Sequence, residues 1–123
     1  MVSFISDSQC QCRVLQLSLS NQVQNYHHYL HGIYELYKTV NGKPSYRNRN
    51  RIAAIWYKGN QWIIGNLAEI GTDKVGIGSH NHRSTEDCPQ QVPNNKWDYW
   101  VTSNWRQTTQ NDISFQCIGG KKI

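Results

Sequence analysis

Apolar and polar side chains alternate along Arg13-Val14-Leu15-Gln16-Leu17-Ser18-Leu19, which predicts a half-buried strand with Leu15, Leu17 and Leu19 on one side. Alternation gives way at Ala53-Ala54-Ile55-Trp56-Tyr57-Lys58-Gly59-Asn60-Gln61-Trp62-Ile63-Ile64-Gly65, where β-branched and aromatic residues follow one another directly. Gly59 and Asn60 tolerate the positive φ angles of a two-residue turn. The stretch therefore predicts a hairpin in which Lys58 faces Gln61, Tyr57 faces Trp62, Trp56 faces Ile63 and Ile55 faces Ile64. Both faces of that hairpin are largely apolar. An antiparallel sheet with one wet face alternates, so this hairpin belongs at the centre of a domain with other chain covering it.

The flanking segments are less regular. Residues 20–25 are polar and read as a turn. Tyr26, Tyr29, Leu30, Ile33, Tyr34 and Tyr37 recur at helical spacing, but Gly32 interrupts them, so a loop or short helical turn followed by a strand from Ile33 is expected. Asn41-Gly42 favours a type I′ turn, and Pro44 has no N–H for a central ladder, which casts Ser45-Tyr46-Arg47 as a short edge strand. Glycines at alternate positions in residues 74–79 permit close approach of backbone or rings. Residues 81–95 form a long polar loop, and residues 97–102 and 112–118 are the last strands. The fold class expected is all-β, a single compact antiparallel sandwich or flattened barrel of about eight short strands. It spans residues 10–118, between a flexible N-terminus at 1–9 and a C-terminal tail at 119–123.

A chain of 123 residues suits one domain. Only 17% of residues are charged, aromatics reach 11% with five Trp, and mean hydropathy is −0.72, so polarity comes mainly from amides and hydroxyls. That composition suits uncharged polar ligands and an extracellular setting. The net charge of +5 is uneven: no acid lies between Glu35 and Glu69, whereas Lys38, Lys43, Arg47, Arg49, Arg51 and Lys58 all do. This basic 38–58 segment is either a solvated surface or a polyanion site, and if extended it would project Arg47, Arg49 and Arg51 to one side. No apolar run is long enough to span a membrane and no leader pattern opens the chain, as expected of a mature secreted form; a cytosolic protein with four free thiols is the alternative.

Four cysteines point to an oxidising compartment and two disulfides. Cys12 opens the first strand and Cys117 closes the last, which suggests Cys12–Cys117 with Cys10–Cys88; the swap, Cys10–Cys117 with Cys12–Cys88, fits the sequence nearly as well. Cys-x-Cys spacing does not suit zinc. The ordered set Gly32-x-Tyr34, Asn41-Gly42-Lys43-Pro44-x-Tyr46, Ile55-Trp56-Tyr57, Trp62-x-Ile64-Gly65, Gly76-Ile77, Cys88-Pro89, Trp97, Trp105 and Cys117 resembles a small disulfide-containing extracellular module that recurs in multidomain proteins of marine invertebrates. The resemblance covers Cys12 to Cys117. It implies a secreted, non-catalytic recognition domain and assigns no functional residue.

Catalytic signatures are missing: there is no Gly-x-Ser-x-Gly, no phosphate-cradling glycine loop and no His-Glu-x-x-His. Asp98 and Glu35 could meet as a carboxylate pair, although nothing in the sequence supports it. His27 with His31 on a helix, or His80 with His82 on a strand, would share a face, but no carboxylate stands at ligand spacing and neither metal nor cofactor is expected. The remaining signal is aromatic rings beside polar groups, as sugar recognition requires: rings stack on C–H faces while amides, carboxylates and guanidinium groups meet the hydroxyls. Trp100 and Trp105 are the candidate exposed platform, with Asp98, Asn104 and the loop residues His80, Asn81, His82 and Arg83 as polar partners. Trp97, Tyr99 and Val101 alternate with them toward the core. The function expected is non-enzymatic carbohydrate recognition, lectin-like, with a neutral or sulfated glycan as partner. Alternatives are a polyanion binder acting through Arg47, Arg49 and Arg51, with nucleic acid the less expected polyanion, or a protein-binding adhesion module; self-association is compatible with any of them.

Overall fold

The computed structural model describes residues 12–79 and 85–119. They form one antiparallel sheet of nine strands curled into a half-barrel, in the order β8-β7-β6-β5-β4-β3-β2-β1-β9. The strands are β1 Val14–Leu19, β2 Gly32–Val40, β3 Lys43–Asn48, β4 Ala53–Lys58, β5 Gln61–Asn66, β6 Ile77–Gly78, β7 Asp98–Val101, β8 Asn104–Gln107 and β9 Ile113–Gly119. β1 to β8 lie side by side in chain order, and β9 returns to pair with β1. The fold is thus all-β as expected, but it is a single open sheet, neither a sandwich nor a closed barrel.

The β4–β5 hairpin has the predicted register, Tyr57 opposite Trp62 and Trp56 opposite Ile63. Gly59 and Asn60 both have positive φ, 62° and 67°, as a two-residue turn of this hand demands. Ile55, Trp62 and Ile64 face the concave side, where they join Leu15, Leu17, Tyr34, Tyr46, Ile77, Trp97, Tyr99 and Ile113 in the main core. Ala54, Trp56 and Ile63 face the convex side and are buried beneath Leu67, Ile70 and Val75. A short loop, rather than a second sheet, therefore covers the outer apolar face. Each indole N–H is satisfied by that surrounding chain: Trp56 Nε1 donates to the Thr72 carbonyl at 2.8 Å and Trp62 Nε1 to the Glu86 carbonyl at 3.0 Å. Gly65 is needed next door, because a Cβ there would lie 3.1 Å from Cη2 of Trp56.

Three local readings are corrected by the structure. Residues 20–25 are not a turn. Asn21–His27 is a helix, α1, whose first turn is capped by the Ser20 hydroxyl accepting from Val23 N–H. β3 is interior, between β2 and β4; Pro44 is tolerated because β4 pairs only with Tyr46 and Arg47, beyond the proline. Asn104–Gln107 forms a strand, β8, in a segment with no strand-like pattern, because its partner β7 and a two-residue connection recruit it.

The sheet's free ends are treated differently. Cys12 and Cys117 form a disulfide with Cα atoms 5.7 Å apart, tying the start of β1 to the end of β9 and selecting this pairing over the swap. In the chain-entropy picture, closing a loop of this length stabilises the fold by about 4 to 5 kcal/mol. Cys88 is buried and is not a free thiol; Cys10 lies outside the described residues, as do His80, Asn81, His82 and Arg83. The segment from Pro89 to Trp97 packs along β9, with the Trp97 ring 5.6 Å from that of Phe115. Inside the core, Tyr34 donates to the Leu30 carbonyl and Tyr46 to the Cys12 carbonyl, at 2.5 and 2.7 Å. Burial pushes both phenols up, Tyr46 to about 12.

The two-sided burial of the hairpin makes a quantitative prediction. Trp56→Ala and Trp62→Ala should each cost about 3 to 5 kcal/mol, out of a total near 5 to 15. Urea denaturation followed by circular dichroism should show both variants largely unfolded or with midpoints sharply lowered.

Candidate functional site

The β7–β8 hairpin sits at one edge of the sheet. Trp100 pairs directly with Trp105, and Asp98 with Gln107, on the convex side; Tyr99 pairs with Arg106 and Val101 with Asn104 on the other. β8 is an edge strand among the described residues, and every one of its residues is exposed. Trp100 and Trp105 retain 40% and 39% of their surface, whereas Trp56, Trp62 and Trp97 retain none. The two exposed rings meet edge to face, with centroids 5.2 Å apart and planes at 68°. That geometry is favourable for the pair itself, and both rings keep part of their surface exposed.

The platform is held from below. Tyr99 packs its ring 6.3 Å from that of Tyr26, and its hydroxyl accepts from Gln22 Nε2 at 3.2 Å, so α1 buttresses β7. Trp100 N–H donates to the Gly76 carbonyl at 3.1 Å. The Trp100 carbonyl lies 2.7 Å from Nε2 of His27. A carbonyl only accepts, so Nε2 of His27 carries the proton and Nδ1 is bare. Nδ1 is buried and has no hydrogen-bond partner among the described residues. Desolvation lowers the His27 pKa, against the smaller raising effect of the bond to Trp100. At the base of the hairpin Thr108 N–H donates to the Trp97 carbonyl at 2.8 Å, and Gln107 Nε2 donates to the Asn95 carbonyl at 3.0 Å.

The remaining sequence candidates do not all converge here. Asn104 is exposed beside the turn, while Asp98 lies on the same row as Trp100 but is only 3% exposed. Residues 80–83, expected as a polar partner loop, are outside the described residues. Arg47, Arg49 and Arg51 do not form an extended stripe, because the chain turns after Asn48 and Arg51 takes a φ of +63°. Arg49 Nε instead donates to Glu35 Oε2 at 2.9 Å. Glu35 stands on β2, separated from Asp98 on β7 by four intervening strands, so the two carboxylates do not form a pair. The histidines diverge too: α1 ends at His27, and His31 Nδ1 accepts from Leu19 N–H at 3.0 Å. No group of three His, Cys, Asp or Glu capable of holding a metal occurs among the described residues. The supporting roles of His27, Gln22 and Gln107 were not legible in sequence, since each depends on a partner far along the chain.

His27 and Asp112 impose a pH dependence. The folded state binds His27's proton less readily than the unfolded chain does, so stability should fall as pH drops through and below about 6.5. Burial alone would raise the Asp112 pKa, but hydrogen bonds from Thr109 N–H and from the Ser20 and Thr109 hydroxyls outweigh it and lower the value. Its contribution is present above 3.8 and lost as pH falls through the lower folded value. Urea midpoints at pH 7.5, 5.5 and 3 should therefore decline in two stages, and His27→Gln should abolish the upper one. Comparisons with protein-family models, with curated proteins and with solved structures return no match to this chain.

Proposed function

We propose that this protein is an extracellular, non-enzymatic recognition domain that binds carbohydrate on the convex side of the β7–β8 hairpin. The observation that carries the reading is the exposed cross-strand pair Trp100–Trp105. Two large rings that keep about two-fifths of their surface exposed on a braced edge hairpin forgo burial that a core position would have supplied, and that exposed part is the flat apolar surface that sugar C–H faces stack upon. Asn104 offers an amide at the rim, and His80, Asn81, His82 and Arg83 precede β7 in chain order as further hydrogen-bonding partners. Asp98 acts from beneath, in the row that carries Trp100. An oxidising environment fits the Cys12–Cys117 bridge, and we assign the second disulfide to Cys10 and Cys88. The resemblance of the Cys12 to Cys117 span to an extracellular invertebrate module points the same way.

A glycan array run at low and high salt tests the proposal. Binding to neutral sugars should survive high salt, because stacking and hydroxyl hydrogen bonds release no counterions. Trp100→Ala and Trp105→Ala should each abolish it while costing only about 1 kcal/mol of stability, the value of an exposed aromatic pair. Retained binding in both variants, or a loss of folding comparable to Trp56→Ala, would remove the platform.

A further inference from the structure

A different feature of the same convex side lies on β2 and β3. Between the registered pairs Leu36–Tyr46 and Thr39–Pro44, two residues of β2, Tyr37 and Lys38, stand opposite the single Ser45. This is a β-bulge, and the buried Ser45 hydroxyl locks it, accepting from Lys38 N–H at 3.3 Å and donating to the Lys38 carbonyl. In an unbroken strand Tyr37 and Lys38 would point to opposite faces. The extra residue breaks that alternation, as bulges that re-aim side chains do. The Lys38 ammonium lies 5.2 Å from the centroid of the exposed Tyr37 ring, and the Arg47 guanidinium lies 4.6 Å from the same ring.

Two cations thus share one ring, and neither is ion-paired to a carboxylate among the described residues. Glu35 is the cross-strand partner of Arg47, yet its carboxylate is engaged by Arg49 at 2.9 Å. The ion pairs among the described residues are Lys43–Asp87 and Arg49–Glu35, neither of which includes Lys38 or Arg47. Gathering two uncompensated positive charges is unfavourable until an anion joins them. Stacking on Tyr37 restrains the guanidinium and leaves its N–H edge free for an oxyanion, while Lys38 adds a point charge.

We infer that Tyr37, Lys38 and Arg47 form a binding site for one tetrahedral oxyanion, a sulfate or phosphate group presented as an ester. The site is separate from the tryptophan platform: the covered hairpin β4–β5 and strand β6 lie between β3 and β7. It also differs from a diffuse basic surface, because Arg49 is excluded from it.

The test is a ¹⁵N–¹H NMR titration of the whole chain with inorganic sulfate, inorganic phosphate and chloride at matched ionic strength, followed by a methyl glycoside carrying either a sulfate or a phosphate ester. Saturable shifts centred on Tyr37, Lys38, Ser45 and Arg47 are expected with oxyanions and not with chloride. Arg47→Gln and Lys38→Gln should each weaken binding roughly tenfold, as loss of one charge-assisted contact does. Arg51→Gln, at an exposed turn position outside the cluster, should leave affinity unchanged, and all three variants should melt with the parent protein. Saturable binding of either ester supports the site and identifies its source. Shifts that chloride reproduces, binding that Arg51→Gln weakens as much as Arg47→Gln, or no saturable binding of any oxyanion would overturn it. None of these readouts depends on neutral-sugar binding, so the two proposals fail separately.

Discussion

The structure depends on burying both faces of the β4–β5 hairpin. Each face has its own cover: the concave one meets side chains from nearly every other strand, and the convex one meets the loop carrying Leu67, Ile70 and Val75. Because the convex cover is local in sequence, the domain needs no second sheet. The strands on either side of the hairpin are then free to keep a solvated outer surface, and it is there that the tryptophan pair and the Tyr37 cluster stand.

An open sheet leaves two edges, and they are managed by different means. β9 is joined to its neighbour by a disulfide and packs against the Pro89–Trp97 segment, so that edge is covalently held and partly covered. β8 is short and wholly exposed. Short, polar edge strands limit unwanted pairing. The same exposure makes β8 the part of the sheet most available to a ligand, and its backing by Thr108, Gln107 and α1 supplies the rigidity that an exposed hairpin lacks by itself.

Coupling between core and surface runs through backbone atoms. His27 holds the carbonyl of Trp100 while Gly76 holds its N–H, so an exposed ring is positioned by a buried imidazole and a backbone carbonyl behind it. The bare, buried Nδ1 of His27 makes this support sensitive to protonation, since a second N–H there would find no acceptor among the described residues.

How far sequence reached can be traced residue by residue. The register of β4 and β5, the Asn41-Gly42 and Gly59-Asn60 turns, the alternation of β1 and the exposure of Trp100 and Trp105 against buried Trp97 and Tyr99 were all legible, because each follows from neighbours a few positions apart. Helix α1, the interior place of β3 and the existence of β8 were not. Ser20 is a cap only once Asp112 and the sheet fix the chain around it, Pro44 is harmless only because β4 stops short of it, and Asn104–Gln107 becomes a strand only beside β7. The clustering of Tyr37, Lys38 and Arg47 was equally hidden, since a charge run shows which cations are present and not which of them a bulge turns together or a glutamate neutralises. Local periodicity determined the elements; the choice of partners, and with it the placement of both candidate sites, was decided by long-range packing.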